Sequence, residues 1–143
     1  MTVPHSPYQM HAIPRIDGSD SVVAWFGCWP RFHDHYLVSA PTCVAPVGTL
    51  CIHAWRTQWE LTDAAGRFLQ DHHCLVTFDL RRVECVELTE LVFPAIIFEL
   101  DVCARSDAEG WAIQWSSSYG AEGRILVEGV SVKVEPRNPE RKE

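Results

Sequence analysis

At 143 residues, 47% of them hydrophobic and 22% charged, the chain has the length and composition of one soluble domain with a single sizeable core. Twelve basic against nineteen acidic residues give a formal net charge of −7, which argues against nucleic acid as the main partner, because neutralising phosphates needs a basic face. The balance suits a basic protein partner drawn in by long-range attraction. No apolar run approaches the roughly 20 residues that span a bilayer, so no membrane partner is expected.

Residues 1–16 hold Pro4, Pro7 and Pro14 and read as an extended N-terminal arm. Residues 17–136 read as one β-rich domain and residues 137–143 as a flexible charged tail. After the turn at Asp17-Gly18-Ser19 a short helix is expected. Ser19 is its candidate N-cap, Asp20 suits the positive helix end, and Val22, Trp25 and Phe26 form its apolar face. Gly27 can close the helix and Pro30 keeps it from resuming.

Strands follow. Residues 33–40 and 48–59 are the first two, with Cys51, His53, Trp55, Thr57 and Trp59 on one face of the second. A turn at Asp63-Ala64-Ala65-Gly66 leads into Phe68–Asp79, where Cys74, Val76 and Phe78 share a side. Arg81-Arg82 is expected to turn the chain into Val83–Leu88. Beyond Pro94, Ile96, Phe98, Leu100 and Val102 alternate with Ile97, Glu99, Asp101 and Cys103, the pattern of a half-buried strand. A turn at Asp107-Ala108-Glu109-Gly110 precedes the alternating run from Trp111 to Ser116. In the last run the apolar residues sit at odd positions (Ile125, Val127) and then at even ones (Val130, Val132, Val134). That change of phase across Gly129 predicts a bulge or a bend. The expected fold is mainly β, an antiparallel sandwich or strongly curved sheet of about seven strands with one short N-terminal helix.

Six cysteines make an even number, yet there is no Cys-x-x-Cys pair, and Met1 to Arg15 contain no apolar segment of the secretory kind. They are expected to be reduced thiols in the cytoplasm, small and mostly buried.

The densest chemistry lies in Trp29-Pro30-Arg31-Phe32-His33-Asp34-His35. On a strand His33 and His35 would share a face about 7 Å apart, close enough to ligate one metal, so both are candidate ligands, with His53, His72 or His73 as further ones. Gly27 and His33-Asp34-His35 match the opening of the cupin metal motif. The glutamate it needs is replaced by Ser39 and Ala40, and the histidine that should follow Pro46-Val47-Gly48 is Cys51. The competing reading makes these histidines hydrogen-bonded fasteners of a helix–strand junction. No nucleophile elbow and no phosphate-binding glycine loop is present, so no catalytic residue is assigned, and neither enzyme activity nor a cofactor is expected. The paired tryptophans can fill a core or line an interface. The strongest interface candidates are Trp59, Glu60 and Asp63, an aromatic residue beside carboxylates.

The stretch Phe26-Gly27-Cys28-Trp29-Pro30-Arg31-Phe32-His33-Asp34, with Tyr119-Gly120-Ala121-Glu122-Gly123 before the last strand, resembles the immunity protein 50 family. The family-like positions are Trp29, Pro30, Phe32, His33, Asp34, Tyr119 and Gly120; the chain departs from the pattern at His35-Tyr36. The resemblance implies a small, mostly β, non-catalytic protein of a bacterial toxin–immunity system. Such a protein binds and neutralises a cognate toxin domain, here expected to be basic, in the cytoplasm. A homodimer is left open. The alternatives are a metal-dependent β-fold enzyme using His33 and His35, or a small-ligand-binding β protein with an apolar cleft.

Overall fold

The computed structural model describes residues 13–62, 68–90, 93–117 and 121–137; the side chains of residues 57–62 and 68–72 lie outside that description. One helix, α1 (Ser19–Phe26), precedes six strands: β1 (Tyr36–Ser39), β2 (Ala45–Thr62), β3 (Phe68–Thr89), β4 (Ala95–Ala104), β5 (Trp111–Ser117) and β6 (Glu122–Pro136). Each strand runs antiparallel to its neighbours in the order β1-β2-β3-β6-β5-β4, and β4 returns to β1. The strongly curved sheet among the expected alternatives is therefore curved until it closes, through β1, which pairs with both β2 and β4.

The count is six rather than about seven because two expected strands are one. Arg81-Arg82 does not reverse the chain: β3 passes straight through it, with Arg82 in the left-handed region at φ 57°. Leu80 and Val83 both point inward, and so do Val130 and Val127 opposite them on β6. Both strands change phase together at this bend, which accounts for the flip read at Gly129. The Arg81 guanidinium lies over Gly129. A second bulge, between Ile97 and Glu99, shifts the phase of β4. Ala95, Ile97 and Leu100 thereby face the core, and Phe98 is left 51% exposed, against the simple alternation expected there.

The barrel is a packed core rather than a container. Leu37, Leu50, Ile52, Val76, Phe78, Ile97, Ile113 and Ile125 are fully inaccessible and, with Trp115 and Val127, fill it from all six strands. The apolar cleft that a small-ligand carrier requires is thus not the barrel interior. The segment before β1 supplies the remaining filling: Ile16, Val22, Trp29 and Phe32 join the same cluster.

Helix α1 is held by β6 rather than by a side-chain cap. The expected N-cap, Ser19, is instead the first helical residue and is buried; the cap is Gly18 at φ 90°. A Cβ on Gly18 would collide with the Val132 carbonyl, so both the left-handed turn and the close approach demand glycine. Asp17 fixes that approach through its carbonyl, which accepts from the Val132 N–H at 2.8 Å. Gly27 closes the helix as expected, its N–H donating to the Val23 carbonyl at 2.7 Å. No helix among the described residues is long and apolar enough to cross a membrane.

Candidate functional site

The motif Trp29–His35 forms a corner, not the start of a strand. Phe32 and Asp34 adopt φ 59° and 67°, and the His35 N–H donates to the Phe32 carbonyl at 3.1 Å, closing a tight turn over His33-Asp34. Strand pairing begins only at Tyr36. The turn separates what a strand would have kept together: His33 is exposed, whereas His35 is 4% exposed. The shared face needed for a His33–His35 metal site is absent. No group of three or more His, Cys, Asp or Glu side chains among the described residues is arranged to hold a metal.

The motif residues divide into an inner and an outer set. Trp29 and Phe32 meet edge to face at 6.1 Å, and both reach Phe78 of β3 at 6.3 Å, an aromatic triad at the heart of the core. Pro30 is buried beside them. Outside, the His33 Nδ1–H donates to the Phe98 carbonyl at 2.8 Å, and its ring meets the Phe98 ring edge to face at 5.4 Å. The Asp34 N–H donates to the Ile97 carbonyl at 2.8 Å, so Asp34 fastens the corner with its backbone while its carboxylate stays in solvent, 3.6 Å from His33. Arg31 reaches Glu99 at 3.4 Å. The corner thus docks along β4 at Ile97-Phe98-Glu99. The fastener reading of His33 and Asp34 describes these bonds.

His35 turns inward to a second cluster. Its Nε2–H donates to the Trp55 carbonyl at 3.0 Å, and its Nδ1 is buried without a hydrogen-bond partner among the described residues. Burial among rings pushes its pKa down to about 4, so the imidazole is neutral at physiological pH. On the outer face of β2 and β3, His53 Nε2 and His73 Nδ1 share one hydrogen bond of 3.0 Å. Tyr36 and Trp55 pack on this pair. Burial, followed by Arg137 and His73, also lowers the His53 pKa. The face bearing Cys51, His53 and Trp55 was legible from the sequence. His73 reads there only as a further metal ligand; its hydrogen bond to His53 follows from the β2–β3 register, which sets His53 against Leu75.

The third feature is an acidic groove on the opposite wall, where β3, β6, β5 and β4 lie side by side. It has a volume of about 440 Å³ and is lined by Glu87, Glu99, Asp101 and Glu122 with one arginine, Arg124. At its floor the Trp115 ring crosses Gly123 so closely that a Cβ there would strike the indole. Arg124 pairs with Glu87 at 3.4 Å. Four carboxylates against one arginine give the groove a net negative charge. Glu99 belongs to both features, lining the groove and receiving Arg31 of the corner.

All six cysteines are free; burial raises the Cys28 pKa and pushes the Cys74 thiol up to about 12, and Cys85 is also raised, so none of these three is an activated nucleophile. Trp29 and Trp115 are buried and Trp25 and Trp111 half-buried against the core, the core-filling alternative for these four, whereas Trp55 is buried among the imidazoles of the second cluster. Of the remaining candidates, the side chains of Trp59 and Glu60, and all of Asp63, Tyr119 and Gly120, lie outside the described residues.

No family model matches the chain, and no curated protein and no solved structure matches it either.

Proposed function

We propose that this barrel is a non-enzymatic binding protein, an immunity protein that covers and neutralises a cognate bacterial toxin domain. The observation that carries the reading is the continuity of the Trp29–Asp34 corner with the acidic groove through the Arg31–Glu99 pair. The corner offers an exposed aromatic and an imidazole, Phe98 and His33; the groove offers four carboxylates against one arginine. An aromatic anchor beside a charged field suits a basic protein surface, with the carboxylates steering the encounter and Phe98 supplying buried area. The overall charge of −7 adds to that steering. In this reading the inward half of the motif, Trp29 and Phe32, holds the corner rigid, and its outward half meets the toxin. The protein then acts in the cytoplasm of the cell that makes the toxin.

Co-expression with candidate toxin domains, taken first from genes adjacent to the one that encodes this chain, is the test. Growth is expected to be rescued by the wild-type barrel and lost with Glu99→Lys/Asp101→Lys, whose charges face the groove. Full toxicity in the presence of folded wild-type barrel, or rescue untouched by the double reversal, would count against the reading.

A further inference from the structure

Closure of the barrel rests on its shortest strand. β1 pairs with β2 through Tyr36, Leu37 and Ser39, and with β4 through Tyr36 and Leu37 alone, whereas β2 and β3 pair along most of their 18 and 22 residues. His35, at the head of β1, ties this strand to both neighbours. Its carbonyl accepts from the Ile97 N–H of β4 at 2.9 Å, and its Nε2–H donates to the Trp55 carbonyl of β2 at 3.0 Å. Phe26 of α1, Phe32 of the corner and Trp55 of β2 enclose the ring, with centroids at 6.4, 6.0 and 4.7 Å. The next layer out is the His53–His73 pair, packed on Trp55 and on Tyr36 of β1 itself.

Among the described side chains, the titratable and charged groups facing this cluster are His33 from the corner, Tyr36 from β1, His53 from β2, His73 from β3 and Arg137 just beyond β6. Asp34 stands in solvent beside His33. The named groups that act electrostatically on His35 and His53 are all cationic when protonated.

We propose that this cluster is an acid-sensitive latch on the seam of the barrel, which holds β1 between β2 and β4 while its imidazoles are neutral and releases β1 when they are protonated. A proton can reach His35 only at Nδ1, which is buried without an acceptor. The resulting imidazolium sits in an apolar box, and moving β1 outward is the route by which it regains water. The outer pair adds to the effect. One neutral imidazole must accept the proton that the other donates, so a second proton sets N–H against N–H beside Arg137 and breaks the link that spans β2 and β3 over Tyr36. The Arg137 backbone N–H also donates to the His73 carbonyl at 2.7 Å, which anchors that residue beside the pair.

Hydrogen exchange on the full chain at pH 7.5 and pH 5.0, corrected for intrinsic amide rates, tests the latch. Protection of the Tyr36–Ser39 amides is expected to fall about 30-fold at the lower pH, the change for an imidazole of pKa about 4 in the closed seam and about 6.5 in the open one. Amides of β3 and β6 between Phe78 and Val83, and between Val127 and Val132, should hold their protection. His35→Gln keeps a donor towards the Trp55 carbonyl and cannot titrate; it should lose most of the pH dependence. Should that variant not fold, His53→Phe/His73→Leu, outside the inner box, should weaken the response without abolishing it. Protection of β1 that does not change with pH, equal loosening of all six strands, or an undiminished response in His35→Gln would each overturn the proposal.

Discussion

The two outer walls of this barrel put polar side chains on the same kind of strand to opposite uses. On the β1–β2–β3 wall, three imidazoles are half-buried or buried and hydrogen-bonded to backbone or to one another among aromatic rings. On the β3–β6–β5–β4 wall, carboxylates and an arginine stand around an open groove. The first arrangement gives cohesion that depends on protonation, because a charge there is desolvated. The second contributes little to stability and much to recognition, because exposed charges are screened yet still steer partners. β3 belongs to both walls, with His73 in its first half and Glu87 in its second, and the bend at Arg82 divides them.

The largest expected effect comes from removing what supports the first wall. Phe32→Ala takes away a fully buried ring that touches Trp29, His35 and Phe78; urea denaturation should show a loss of about 3–5 kcal/mol. Acidification comes next and separates the walls directly. The folded pKa of His35, about 4, lies below its unfolded value near 6.5, so the unfolded chain takes up the proton first. Stability conferred by the neutral ring is complete above pH 6.5 and is lost as pH falls towards 4, by about 3 kcal/mol in all. Denaturation curves across that window should show the slope in the wild type and a much reduced one in His35→Gln.

Two glycines sharpen the contrast at smaller scale. Gly123→Ala drives a methyl into the buried Trp115 indole, and thermal melts should report destabilisation of about 1–3 kcal/mol. Gly129→Ala meets only the flexible end of Arg81, and its cost should stay below about 1 kcal/mol. A comparable loss in the two variants would show that the Trp115 floor is softer than its packing implies. The smallest effect on stability is expected from Glu99→Lys/Asp101→Lys. Its unfolding free energy should change by less than about 1 kcal/mol, while affinity for a basic partner falls tenfold or more at low salt, as titration calorimetry at two ionic strengths would show.

Much of the fold was legible in the sequence because it is local. Period-two alternation gave the strand character of nearly every element. Gly27 and Pro30 marked the end of the helix, and the inward side of Cys74, Val76 and Phe78 was correct. Errors fell where a single residue of unusual backbone resets the period. Arg82 bends β3 without ending it, the bulge after Ile97 turns Phe98 outward, and Phe32 and Asp34 make a turn where alternation alone reads strand. Nothing about an arginine or an aspartate identifies it beforehand as the residue that will adopt positive φ, since neighbours across the sheet impose it.

The candidate site was legible only in its ingredients. The sequence by itself determined that the chain is β-rich and acidic, with a short helix ending at an aromatic-rich motif, because composition, periodicity and local turn residues act over a few positions. Only the tertiary structure decided that His33 and His35 part company, that His35 meets Trp55 and His53 meets His73, and that Glu87, Glu99, Asp101 and Glu122 line one groove. The two histidine encounters each join residues 20 positions apart, and the groove gathers residues from 87 to 122. Barrel closure, strand register and bulge placement set them, and each is a property of paired strands rather than of any one segment.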